Sequence, residues 1–327
     1  MWLHLAGPWE TDLKARTAAV FNDTTIAVVQ WPLGTAAALF AAFLVWNNYR
    51  RGRIDRTGAV RIGAFVFLLE ASSYFLYAAH SFDFRSEVGV LRQLASRALL
   101  WSAIFVFLYI GLEPWVRRRW PELLIGWSRL LAGNWRDPMV GRDVLLGIAG
   151  GVAHGLLAFS SSVVPAWLGL RPELFPRVGF LNAFTGIRFG LSYIPSVIST
   201  GIAYGLVELV MLVGFVALMR RRNLAILALW ILHTVAMSFV IHFDAPGVFF
   251  FAIISAMIVL LVARVGILAI AAFQLGFAAS FSLPQPVDPT SWTFAPSLVG
   301  VLCIAVVTFW AFRTALAGQP AFSGFDD

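Results

Sequence analysis

Cysteine is nearly absent from this chain, with Cys303 the single thiol in 327 residues. One thiol inside an apolar run excludes both an intrachain disulfide framework and a thiolate metal cluster. Lysine is as scarce, since Lys14 is the only one and arginine carries the remaining basic charge. Charge of either sign is also thin: Asp, Glu, Lys and Arg make up 13% of the residues, where soluble domains use about 25%. Hydrophobic residues reach 60% and the mean hydropathy is +0.81, so the solvent of most of this chain is lipid.

The net charge of +7 and pI near 10.3 point to nucleic acid in a soluble protein. Here the arginines sit in short runs between apolar stretches, where they act as topology signals, and no nucleic-acid partner is expected. The first 22 residues carry Pro8, Glu10 and Asp12 and have no basic region followed by an apolar core, so no standard signal peptide is expected.

A spanning helix needs about 20 mostly apolar residues. Such stretches recur at 26–46, 62–80, 98–112, 144–164, 195–219, 224–243, 247–281 and 296–312. The stretch 247–281 would make a rod of about 50 Å, against a hydrocarbon core of about 30 Å. It is therefore one long tilted helix or two short spans meeting near Arg264. The sequence predicts an all-α, polytopic transmembrane bundle of eight or nine spans, and the arginines favour nine. Arg50, Arg51, Arg53, Arg56 and Arg61 follow the first span; Arg117, Arg118, Arg119, Arg129, Arg136 and Arg142 follow the third; Arg220, Arg221 and Arg222 follow the fifth. These loops are read as cytoplasmic. The expected organisation is an extracytoplasmic segment 1–24, three spans within 25–112, a basic inner-leaflet segment 113–143, the remaining spans within 144–313 and a cytoplasmic tail 314–327.

Segment 114–143 is too polar to cross and too apolar to float. Pro121 suits a first helical position, after which Leu123, Leu124, Trp127, Leu130 and Leu131 fall on one side. The expectation is a helix lying on the inner leaflet, with Trp115, Trp120 and Trp127 at headgroup level and Arg117, Arg118 and Arg119 meeting anionic lipid. A solvated connector is the alternative.

Gly147, Gly151 and Gly155 repeat at every fourth position and form a flat stripe for close helix packing. No lysine follows them, which excludes a phosphate loop. Ionisable residues inside spans are candidate functional positions because burying them is costly. Glu70, His154, Glu208 and His233 qualify, with Arg188 before the fifth span. Structural roles compete with function at each, such as a carboxylate pairing with Arg188 or a hydrogen bond between helices. No histidine pair has zinc-helix spacing, His233 and His242 being nine positions apart, so no metal and no cofactor are expected.

Four stretches, RRGRIDRTGAVRIGAF (50–65), EPWVRRRWPELLIGWSRLLAGNWRDPMVGRDVLLG (113–147), LLVARVGILAI (260–270) and FRTALAGQPAF (312–322), resemble the multi-span membrane region of a group of bacterial, especially acidobacterial, serine/threonine protein kinases. The resemblance covers nearly the whole chain from the first span onward. In such proteins a cytoplasmic kinase domain precedes a span and an extracytoplasmic segment, whose end GPWETDLKAR (7–16) resembles. That implies an outside N-terminus, as the arginines do, and a bacterial cytoplasmic membrane. Kinase chemistry needs a Gly-rich loop, a strand lysine, an HRD catalytic loop and a DFG aspartate. None occurs here, so no catalytic residue is carried over. The expected role is a membrane sensor or scaffold with a kinase or other signalling partner, as a kinase-free relative or as part of a longer reading frame. A transporter or intramembrane enzyme built on the buried Glu and His residues is the alternative, and it requires those side chains to converge.

Overall fold

The computed structural model describes residues 23–81, 83–169, 186–241, 245–282, 289–290 and 294–319. The expected segment 1–22, the end of the tail, much of the loops 170–185 and 283–293, and His242 lie outside them. Among the described residues the chain is all-α, with ten α-helices and no strand. They are α1 (Asp23–Arg50), α2 (Arg56–Tyr77), α3 (Phe84–Arg119), α4 (Glu122–Leu131), α5 (Pro138–Trp167), α6 (Ile187–Met219), α7 (Arg222–Ile241), α8 (Ala245–Arg264), α9 (Ile267–Phe277) and α10 (Phe294–Ala315). Six of them, α2, α3, α5, α6, α8 and α10, contain segments long and apolar enough to cross a membrane, while α7 and α9 are shorter and apolar. Large side chains such as Leu39, Phe43, Leu99, Leu100, Leu156, Phe159 and Leu218 are exposed. A soluble protein rarely leaves so much apolar surface bare, whereas lipid solvates it.

The long apolar stretch is two helices. Gly266 breaks it with φ +115°, and a side chain there would also overlap the Leu123 backbone of α4. Only glycine satisfies both conditions. The following helix, α9, is the centre of the bundle: Ile267 to Phe273, Leu275 and Gly276 are all buried. A single wider π turn, Ala278–Ser282, ends it.

The small-residue stripe of α5 explains how α9 is held. A Cβ at Gly147 would overlap the Ala269 carbonyl, one at Gly151 the Phe273 carbonyl, and one at Gly155 the Ser280 hydroxyl. Contacts advance together along both helices, so α5 and α9 run parallel. Gly201 of α6 closes the opposite side against Ala271, where an added Cβ would sit 2.7 Å from Cα.

Helix starts and irregularities follow local chemistry. Asp55 caps α2 by accepting from the Gly58 N–H at 2.9 Å, and Asp83 caps α3 through Ser86 at 3.0 Å. Pro114 lies inside α3 and removes the donor that the Ile110 carbonyl would receive. Asn48 of α1 replaces it: its Nδ2 donates to Ile110 O at 3.0 Å and Gly111 O at 2.8 Å. Helix α3 has 36 residues, which at 1.5 Å each is about 54 Å, longer than a hydrocarbon core.

One end of the bundle collects the arginine runs. Arg117 pairs with Glu113 in α3 and with Asp55 at the start of α2. Arg222 stacks over Trp120 at 4.8 Å, donates to the Ala263 carbonyl at 2.6 Å and lies 3.6 Å from Glu122. Gly141 approaches Ala311 and Ala315 so closely that a Cβ would overlap their backbone, which brings Arg313 to the same end.

Helix α4 departs from the sequence expectation. Its apolar side faces the bundle rather than a leaflet: Leu123, Leu124 and Trp127 are buried, and Trp127 packs edge-on against Phe65 of α2. Trp120 is buried too. Neither Trp120 nor Trp127 is available as a lipid contact, because both rings are buried against neighbouring helices. Trp115 is half-buried, edge-on to Trp120 and capped by Arg119. Arg118 and Arg119 remain exposed.

Candidate functional site

The intramembrane polar residues fall into two groups at different depths. Along α6, Glu208 lies twelve residues before Arg220, about 18 Å from the arginine-rich end. His233 is eleven residues past Arg222 in α7, and His154 eleven past Asp143 in α5, each about 16 Å. All three therefore lie at a similar distance from the arginine-rich end, about 16–18 Å along their helices. His233 Nε2 is 3.5 Å from Glu208 Oε1; Glu208 is buried and His233 half-buried. Glu208 Oε2 and His233 Nδ1 have no hydrogen-bond partner. His154 stacks on Phe277 with ring centroids 4.1 Å apart, and its Nδ1 is also unpartnered. Among the described residues, no group of three or more His, Cys, Asp or Glu side chains is arranged to hold a metal ion. A carboxylate and an imidazole this close, each with an unused polar atom in a dry setting, are equipped to exchange and hold a proton.

The second group sits toward the opposite end. Arg97 Nε donates to Glu70 Oε2 at 2.9 Å, and Ser199 Oγ donates to Glu70 Oε1 at 2.6 Å. Glu70 is only 4% exposed, so the pair answers a buried carboxylate with one charge and one hydroxyl. Arg97 precedes Arg117 by twenty residues of α3, about 30 Å, which places the two arginines one hydrocarbon thickness apart. Arg188 is not the counter-charge of either carboxylate. It donates to the Ala78 carbonyl at 2.8 Å and stacks over Phe189 at 5.2 Å, because it opens α6 beyond the level of Glu70. The required convergence is thus partial: Glu208 and His233 lie side by side, while His154 stacks on Phe273 and Phe277 and Glu70 and Arg188 are engaged elsewhere. Sequence reasoning missed Arg97, which stands one residue before an apolar run and gives the appearance of a helix-end charge. Its only signal was that a single basic residue lies within reach of Glu70 in an antiparallel pairing of α2 and α3.

The turn between α2 and α3 is a polar clasp. His80 Nδ1 is 2.9 Å from Glu87 Oε2 and its Nε2 is 3.0 Å from the Phe75 carbonyl; the Ser81 N–H donates to Glu87 Oε1 at 3.0 Å. Both ring nitrogens thus face acceptors. The Phe75 carbonyl first, and the Glu87 carboxylate next, hold the His80 pKa above its usual 6.5. A folded-state pKa above the unfolded one means that the protonated ring stabilises the turn. That contribution is fully present below the unfolded pKa and disappears as pH rises through the folded one. An imidazole NMR titration is expected to show His80 titrating above 6.5, and Glu87→Gln to bring it down; an unshifted ring would remove the clasp. Asp137, between α4 and α5, behaves oppositely. Arg129 Nη1 donates to both its oxygens at 2.7 Å, which lowers its pKa below the usual carboxylate value.

Comparison with protein-family profiles, curated proteins and solved structures finds no match to this chain. The class it belongs to is defined by its own fold: an all-α protein with the apolar helices of a membrane protein.

Proposed function

We propose that the chain is a membrane sensor or scaffold module related to the membrane region of bacterial serine/threonine protein kinases, itself without kinase motifs, crossing the cytoplasmic membrane nine times with its N-terminus outside. The observation that carries this reading is the network at the arginine-rich end. Trp120 and α4 meet α2 through Phe65, α3 through Trp115, α7 through Arg222, which also reaches the Ala263 carbonyl of α8, and the start of α9 through Gly266. A change of tilt in any of these spans displaces α4 and the exposed Arg118 and Arg119 beside it. Such a surface suits a cytoplasmic partner or the anionic inner leaflet.

The test is phosphate transfer from labelled ATP by the purified chain and by complexes captured from gently solubilised membranes. Transfer is expected only in the complex, and Arg117→Gln, which releases Asp55 and Glu113, is expected to alter it. Complexes without kinase activity would overturn the reading in favour of a second one, a proton-coupled carrier or intramembrane enzyme. The unpartnered Glu208 and His233 atoms favour that alternative, and Glu208→Gln would then abolish pH-driven uptake into proteoliposomes.

A further inference from the structure

We propose that a cavity beside the Glu70–Arg97 pair binds an oxyanion, a phosphate or carboxylate group carried by a small solute from the outer face or by an outer-leaflet lipid headgroup. The cavity has a volume of about 260 Å³ and is lined by Tyr74, Tyr77, Arg97, Tyr193 and Ser196, with Ser73 and Ser192 at one wall. That is small beside the roughly 300–1,000 Å³ of drug-sized sites, so its occupant is a compact group.

Its origin is local. Pro195 lies inside α6 and interrupts the hydrogen-bond ladder between Leu191 and itself. Ser73 Oγ reaches into this turn and donates to the Ser192 carbonyl at 2.9 Å. The residues around the proline, Ser192, Tyr193 and Ser196, form the α6 wall. On the other side, Arg97 is fixed rather than loose. Glu70 engages its Nε, and Ser199 occupies the other carboxylate oxygen. The two terminal nitrogens of the guanidinium keep four N–H donors in one plane, and the side chain is 46% exposed where it lines the cavity. A planar fork of donors with hydroxyls beside it matches the two oxygens of a carboxylate or phosphate.

The charge around the cavity favours an anion. Arg97 is answered by Glu70. Arg188 stands by the mouth, bonded to the Ala78 carbonyl next to Tyr77, and Tyr77 meets Phe189 edge-on. Glu87 on the same side is held by His80 and the Ser81 N–H. Among the described residues, no carboxylate answers the Arg188 charge near the entrance. The depth is also suitable, because Arg97 lies about one hydrocarbon thickness from Arg117, at the level where outer headgroups and outer solvent meet.

As the input of a sensor, this site rests on the sensor reading, but binding is measured on the chain alone and can succeed or fail without any kinase. The experiment uses full-length protein in phosphatidylcholine nanodiscs. Inorganic phosphate and acetate are titrated by calorimetry; in parallel, phosphatidylglycerol is introduced and bound lipid is read by native mass spectrometry. Saturable heat from the soluble anions identifies a solute site. Retention of phosphatidylglycerol with no heat from the solutes identifies a headgroup site. In either case Arg97→Lys, which keeps a cation for Glu70 but loses the fork, is expected to weaken binding about tenfold. Ser196→Ala alters the wall without touching the Glu70 network and is expected to weaken it less, with unchanged thermal unfolding. Absence of both signals, or binding that Arg97→Lys leaves unaltered, overturns the proposal.

Discussion

Gly151→Leu is expected to abolish the folded bundle or to lower its thermal midpoint more than any other single glycine substitution in α5. An added Cβ at 151 would meet the Phe273 carbonyl, the Phe273 carbonyl carbon and the Phe277 nitrogen. All three are backbone atoms of α9, and no rotamer change moves them. The helices must separate, which undoes contact along the stripe from Gly147 to Gly155. Overpacking of a tight core costs about 1–3 kcal/mol even where side chains can adjust; with backbone as the obstacle, the upper end or beyond is expected. The control is Gly89→Ala in α3, where an added Cβ meets nothing within 4 Å. Removing a helical glycine there is expected to raise stability by about 0.5–1 kcal/mol. Thermal unfolding in detergent compares the two directly. Equal effects of both substitutions would mean that α5 and α9 are not in contact.

Trp127→Ala is expected to have the second large effect, about 3–5 kcal/mol, the usual cost of removing a fully buried large aromatic ring. Trp127 is 1% exposed, and its ring is the part of α4 that meets Phe65 of α2. Leu268 of α9 comes near the adjacent Gly126, whose own Cβ would overlap Asp143. Without the indole, α4 keeps Leu123 and Leu124 but loses its deepest anchor. The indole Nε1 has no hydrogen-bond partner, so the ring is retained for volume and not for its donor. Trp127→Phe therefore removes an unsatisfied polar group while keeping most of the packing, and is expected to cost less than about 1.5 kcal/mol. A membrane-facing Trp127 would reverse this order: alanine would be tolerated, and tryptophan fluorescence would respond to quenchers carried on lipid tails.

Much of the fold was legible because the signals are long. Runs of apolar residues between arginine clusters determine where helices cross, and each of α2, α3, α5, α6, α8 and α10 overlaps an expected span. The break after Arg264 was readable as one of two options, and the positive φ of Gly266 decides between them. What could not be read were relations across helices. Amphipathicity gave α4 an apolar side, but the same pattern serves a helix on lipid and a helix over a recess in protein. Only the partners of α4 in the folded bundle, Phe65 and Gly266 among them, distinguish them. Likewise Glu70 announced a buried charge without naming Arg97, since the register of α2 against α3 is set by Gly58 beneath Tyr109 and Gly63 beneath Val106. Glu208 and His233 were each visible as isolated ionisable residues. Their pairing depends on the equal distance of both from the arginine turn joining α6 and α7, which the sequence contains but does not flag. The repair of Pro114 by Asn48 left no trace in periodicity, because it links residues 62 and 63 positions apart.

Helix α3 reaches about 54 Å, from the His80–Glu87 clasp at one end to Arg117, Glu113 and Asp55 at the other. The stretch from Phe84 to Arg97 adds about 20 Å beyond the hydrocarbon boundary. Mechanically this is a long rod tied to its neighbours at two levels: by Glu70 at Arg97, and by Asn48 and Asp55 toward the other end. Because these ties leave the helix off its axis, they oppose both sliding and rotation of α3 against its neighbours.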